Sequence, residues 1–137
     1  MLKNKSLFCL LLFVVLVLLD QGVKIYIVNS DFVYSVNRLY ILGLFSLNKY
    51  LYLGLVLCIS VFLVQRIFLI KEVLVRNVYI VLLSGIVSQS VDRVGQGYVI
   101  DYINIFNLTI INLADLYIVI SVAILIIFSY SYNRLNV

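Results

Sequence analysis

Long apolar runs, broken at a few points by polar clusters, set the architecture of this chain. The first run covers residues 7–19, is interrupted by Asp20-Gln21-Gly22-Val23-Lys24, and resumes at residues 25–28, predicting a span over about residues 7–28. Three further spans are predicted over about residues 50–68, 77–92 and 115–130. Each is near the roughly 20 residues with which a helix crosses a bilayer. A secretory signal peptide would also begin with basic residues such as Lys3 and Lys5, but no small-residue cleavage site follows, so the first span is expected to be a retained helix.

The stretches between the runs differ in kind. Residues 29–48 mix aromatic and β-branched side chains with Asn, Ser, Asp31 and Arg38, and Phe32 to Asn37 alternate as a strand does. Tyr and Phe at this density suit a membrane interface, which predicts a small β-like extramembrane structure lying on the bilayer between helices 1 and 2. Gln65, Arg66, Lys71, Glu72 and Arg76 form a short charged connection. Between the last two runs, Gly95-Gln96-Gly97 supplies a turn, and residues 98–103 return to apolar surroundings around one carboxylate, Asp101.

Composition narrows the class. Hydrophobic residues make up 65% of the 137, charged residues only 12%, and mean hydropathy is +1.19, whereas soluble domains sit near 45–50% apolar and about 25% charged. The expected fold is an all-α integral membrane protein, with residues 1–137 forming a single membrane-embedded domain. The net charge of +4 comes from scattered Lys and Arg, with no basic stripe for nucleic acid. With the N-terminus inside, six of the ten basic residues lie inside and four outside, the sign the positive-inside rule requires. Both termini are then cytoplasmic, and five of the six acidic residues gather at the outer face.

Those acids are the candidate chemistry. Carboxylates beside membrane spans are costly unless paired, hydrated or used. Asp20 and Lys24 stand in the favourable helical order for an ion pair. Gly85, Ser88, Gln89 and Asp92 share one face of the third span, and Asp92 with Arg93 reads as a structural ion pair or loop anchor. Asp115 falls in the first turn of the fourth helix, where the macrodipole favours negative charge, while the apolar setting of Asp101 disfavours it. Two acids pushed apart in this way are what carboxylate acid–base catalysis requires.

Rival chemistries lack their residues. Without His there is no Ser-His or Cys-His couple, and Cys9 and Cys58 lie far apart within apolar spans, so no metal site is expected. A Ser-Lys pair would need Lys24, which already has Asp20. Asn107-Leu108-Thr109 fits a glycosylation sequon, a frequent chance match. The alternative of another class is a non-catalytic membrane protein, transporter-like or accessory, whose outer carboxylates bind cations or pair with Arg93 and Lys24.

In register, Asp20-Gln21-x-x-Lys24, then Asp92-Arg93-x-x-x-Gly97-x-Val99-Ile100-Asp101-Tyr102-Ile103, then Asn112-x-Ala114-Asp115 resemble the bacterial lipoprotein signal peptidases, or signal peptidases II. The resemblance implies an aspartic peptidase of the cytoplasmic membrane whose dyad maps onto Asp101 and Asp115, with Asp20, Lys24, Gln89, Asp92, Arg93 and Asn112 supporting the site or substrate. It implies that the structure between helices 1 and 2, residues 29–48, is a small extracytoplasmic β-like cradle, and it implies no cofactor. The substrate would be a prolipoprotein carrying diacylglycerol on a cysteine, cut on the N-terminal side of that cysteine, with membrane lipid around it and a monomer as the expected state. The chain departs from the family pattern at Ser88-Gln89, where Gly-Asn is usual, at Tyr40 and Leu42 ahead of Phe45-Ser46, and at Ile111 in place of Phe.

Overall fold

The computed structural model describes residues 2–38 and 48–135. Tyr40, Leu42, Phe45 and Ser46 lie outside the described residues. Four helices dominate: α1 (Leu2–Val28), α2 (Lys49–Leu69), α3 (Val73–Gly95) and α4 (Leu113–Leu135). All four are long and apolar enough to cross a membrane, so this is a multi-pass membrane protein. The helices run beyond the apolar spans because backbone hydrogen bonding continues into the interface after the need to avoid charge has ended. The α2–α3 break falls where Ile70 and Glu72 take extended backbone on either side of Lys71.

Helix α3 is the hub, packing against α1, α2 and α4. Half of its most apolar window is buried, against 6–17% for the other three. Leu63 and Ile67 of α2 meet Ile80, Leu82 and Leu83 of α3 in the core, with Cys9, Leu12 and Phe13 of α1 and Ile118 and Leu125 of α4 packed against them. The remaining faces of α1, α2 and α4 carry exposed side chains such as Leu18, Phe62 and Ile127, the pattern of a bundle solvated by lipid. Gly85 marks the close approach of α3 to α4: a Cβ there would sit 2.7 Å from the Ala114 carbonyl oxygen and 2.9 Å from Ile118 Cγ1. Small residues serve this purpose between membrane helices.

At one end of the bundle the described residues form four short strands, β1 (Ser35–Asn37), β2 (Val99–Asp101), β3 (Ile103–Ile105) and β4 (Thr109–Ile111). β1 pairs antiparallel with β2, setting Ser35 opposite Asp101 and Asn37 opposite Val99, and β3 pairs with β4. Among the described residues, the segment after α1 therefore supplies one strand of the cradle and the α3–α4 connection supplies three. Alone, β1 would leave its backbone groups unpaired; the β-branched run around Val99 gives it a partner. Gly97, at φ +81, makes the turn from α3 into β2, a conformation that other residues rarely adopt.

Candidate active site

Alternation along β2 sends Val99 and Asp101 to one face and Ile100 to the other. Val99 and Asp101 face a cavity of about 770 Å³ whose wall also includes Asn37, Arg38, Gln89, Arg93 and Asp115. Ile100 lines a separate cavity of about 320 Å³ on the side of Lys24 and Asp92.

The head of α4 is held by side chains from three parts of the chain. The Asn112 Oδ1 accepts from the Asp115 backbone N–H at 3.0 Å while Asp115 Oδ2 accepts from the Asn112 N–H at 3.1 Å, a reciprocal cap. The Leu113 N–H donates to the Tyr102 hydroxyl at 3.3 Å and the Ala114 N–H to Asp20 Oδ1 at 2.9 Å. The Leu116 N–H reaches the Asn112 carbonyl at 3.3 Å. The amides that a helix start leaves without intrahelical partners are thus satisfied, and Asp115 is fixed in direction. Burial pushes the Tyr102 phenol up to about 12, so it stays neutral in this role.

Asn112 also joins the two candidate carboxylates. Its Nδ2 donates to Asp101 Oδ1 at 2.6 Å, and the Asn37 Nδ2 donates to Asp101 Oδ2 at 3.0 Å. The second oxygen of Asp115, Oδ1, accepts from the Gln89 Nε2 at 2.5 Å. Burial is the largest influence on Asp101 and lifts its carboxyl above the usual carboxylate range; the Asn112 and Asn37 amides oppose the rise, and the Asp115 charge adds to it. Both side chains are almost wholly buried.

Asp20 and Asp92 have different surroundings. Lys24 Nζ lies 2.5 Å from Asp20 Oδ2 and 2.6 Å from Asp92 Oδ2. The Ser88 hydroxyl donates to Asp20 Oδ2 at 2.6 Å, and the Gln21 Nε2 donates to Asp92 Oδ1 at 2.8 Å. The sequence pairs Asp92 with Arg93, but the ion pair of Asp92 is with Lys24, 68 residues away. Consecutive helical residues point about 100° apart and do not face each other. Arg93 instead sets its guanidinium 5.3 Å from the centroid of the Tyr52 ring and borders the larger cavity. The polar face of α3 is accordingly divided, with Ser88 and Asp92 toward α1 and Gly85 and Gln89 toward α4.

The four buried carboxylates at this end thus sort into two kinds. Asp20 and Asp92 share one buried cation, whereas among the described residues Asp101 and Asp115 accept hydrogen bonds from amides. Sequence reasoning singles out Asp20, Lys24, Gln89, Asp92, Arg93, Asp101, Asn112 and Asp115 but passes over Gln21, Asn37 and Tyr102. Gln21 stands inside the Asp20-Gln21-x-x-Lys24 pattern and Tyr102 beside Asp101, which were signals of position alone. Asn37 carried no such signal. Among the described residues, no group of three His, Cys, Asp or Glu side chains is placed to hold a metal ion.

The sequence profile described as signal peptidase (SPase) II matches residues 12–131. Solved structures that share the fold include the following two. One is a bacterial membrane enzyme determined by the in meso method at 2.3 Å resolution, 26% identical, covering 94% of this chain and 90% of that one with a TM-score of 0.77. The other, a bacterial membrane enzyme determined by the same method at 1.9 Å, is 25% identical over 88% of this chain and 90% of that one, with a TM-score of 0.71. No curated protein sequence matches the chain significantly.

Proposed function

The chain belongs to the signal peptidase II family, and on that premise we propose that it is an aspartic endopeptidase cutting diacylglyceryl-modified prolipoproteins on the N-terminal side of the lipidated cysteine. The observation that carries this proposal is the sorting of carboxylates: Asp101 and Asp115 share a cavity and the Asn112 bridge, while Asp20 and Asp92 are tied to Lys24. A buried ion pair is a structural use of a carboxylate. Two amide-held carboxylates facing one cavity have the surroundings of a catalytic pair.

The mechanism follows from their proximity. Like charges close together do not both ionise cheaply, so the pair shares one proton. The ionised member takes a proton from a water whose oxygen attacks the scissile carbonyl carbon, while the protonated member donates to the carbonyl oxygen. As the tetrahedral intermediate collapses, the C–N bond breaks and the cysteine nitrogen takes up a proton. The products are a signal peptide with a free carboxylate and a lipoprotein with a free N-terminal amine. The pair titrates as a unit, and acid and base are not divided between its members.

Substrate binding would rest on lipid, since each buried methylene contributes about 0.8 kcal/mol and the acyl chains can stay in the bilayer. Gln89, Arg93, Asn112, Asp20, Lys24 and Asp92 support the site or substrate. The six-to-four distribution of basic residues supports cytoplasmic termini and a site at the outer face of the cytoplasmic membrane.

The test is cleavage of a diacylglyceryl-modified prolipoprotein by the purified protein, compared with Asp101→Asn and Asp115→Asn. Wild type should cut, and both variants should be inactive while keeping their helix content. An inert wild type, or variants that cut equally well, would favour the non-catalytic alternative.

A further inference from the structure

The turn between β3 and β4 has features that the peptidase chemistry does not use. The Leu108 N–H donates to the Ile105 carbonyl at 2.9 Å, and both central residues, Phe106 (φ 48) and Asn107 (φ 59), are left-handed. That is type I′ geometry, which Asn and Gly favour and a bulky aromatic residue ordinarily avoids. Phe106 is nevertheless there with 90% of its surface exposed, and Leu108 follows at 85%.

The polar side chains of the turn are spent on each other. The Asn104 Nδ2 donates to Asn107 Oδ1 at 2.8 Å, and the Asn107 N–H donates to Asn104 Oδ1 at 2.8 Å. From Tyr102 to Ala114 there is no charged residue. A solvated hairpin has no need to satisfy its amides internally or to exclude charge, whereas an element meeting lipid needs both. Only Asn112 separates β4 from α4, so a strand rise of about 3.3 Å per residue keeps the tip within roughly 10–15 Å of the head of a membrane-crossing helix. Between the tip and the head of α4, Ile110 is also exposed.

We propose that the β3–β4 turn is an interfacial anchor, inserting Phe106 and Leu108 into the headgroup–acyl boundary of the leaflet at which the site lies. Phe106 and Leu108 are the wedge, and the Asn104–Asn107 pair is the clasp that keeps the turn rigid. Because β2 and β3 are separated by Tyr102 alone and β4 runs into α4, this anchor fixes the depth of Asp101 and Asp115 relative to the lipid. The inference holds whether or not the site is a peptidase.

The chain contains no Trp, so Phe106→Trp in the full-length protein is a sole tryptophan, read apart from the tyrosines by excitation at the red edge, and Leu108→Trp is a second should ring size at 106 disturb the turn. Each is reconstituted in phosphatidylcholine vesicles with bromine at shallow or deep positions along the acyl chains, without substrate. The expected result is blue-shifted emission, lost most strongly with shallow bromines and little affected by aqueous iodide. Emission quenched by iodide and untouched by bromine overturns the proposal in favour of solvent. Shielding that appears only after a lipidated peptide is added overturns it in favour of substrate contact. Shielding that disappears as protein is diluted in excess lipid overturns it in favour of a second copy.

Discussion

Asn112 and Asp101 are joined by a 2.6 Å hydrogen bond from the Asn112 side-chain amide, and the same side chain caps α4 through its oxygen. One amide group thereby fixes the spacing of a strand and a helix. Asn112→Ser separates the two tasks, because Ser caps a helix about as well as Asn but has no amide to reach Asp101. The cap should survive, thermal unfolding in detergent should lose about 1.5–3 kcal/mol with the bond to the Asp101 carboxylate, and turnover should fall about 10–100-fold, since that bond positions the proposed pair. Unchanged turnover would remove Asn112 from the site.

Asn37 reaches Asp101 from the cradle, and its effect is best read from pH. The carboxyl of Asp101 is already raised by burial, and the alkaline limb of kcat/KM follows loss of the one proton that the proposed pair shares. An amide donor favours the ionised form. Asn37→Ala removes it, raising the Asp101 value further, so the alkaline limb should move to higher pH. The linkage has the same sign: the raised folded-state value favours folding at low pH, and this contribution is lost as pH rises through it. A limb that moves to lower pH, or stays, would contradict the contact.

Much of this arrangement was legible in the sequence, and the rest was hidden for one physical reason. Apolar runs mark spans because a bilayer tolerates little else, and the Asp20–Lys24 pair lies within one helix, so spacing exposes it. The Lys24–Asp92 contact, the Asn37–Asp101 bond and the Gln21 contacts join residues more than 60 positions apart. No local pattern encodes them; they follow from how α1, α3 and β1 pack. Residues 98–111 show their β-branched content plainly, but that β2 would pair with β1 across the bundle is again a matter of tertiary structure.

Lys24 neutralises two buried carboxylates, so its removal should damage folding before chemistry. Lys24→Met leaves Asp20 and Asp92 without their cation, and breaking a buried pair in this way costs about 3–5 kcal/mol. The yield of folded protein and its melting temperature in detergent should drop sharply. Adding Asp92→Asn should recover part of the loss, since one charge then needs no partner. A double variant no more stable than the single one would count against shared neutralisation.

Gly85 lies where α3 and α4 nearly touch. In Gly85→Ala the new methyl would meet the Ala114 carbonyl oxygen at 2.7 Å, a backbone atom that moves only with the head of α4. A destabilisation of about 1–3 kcal/mol is expected from overpacking, with a fall in turnover because Asp115 moves with the helix. A variant as stable and as active as wild type would show that the helices have slack here.

The bond from Ala114 N–H to Asp20 Oδ1 links residues 94 positions apart, and it bears on the birth of the protein. During synthesis α1 enters the membrane long before α4 has been translated. Its Asp20 and Lys24 compensate each other within the helix, so the segment can wait in lipid without its later partners. The final helix, on arrival, finds its acceptor already installed, and the pocket around Asp115 closes as the last step of assembly. A nascent chain halted before α4 would lack Asp115, so the proposed pair would form only with the last helix.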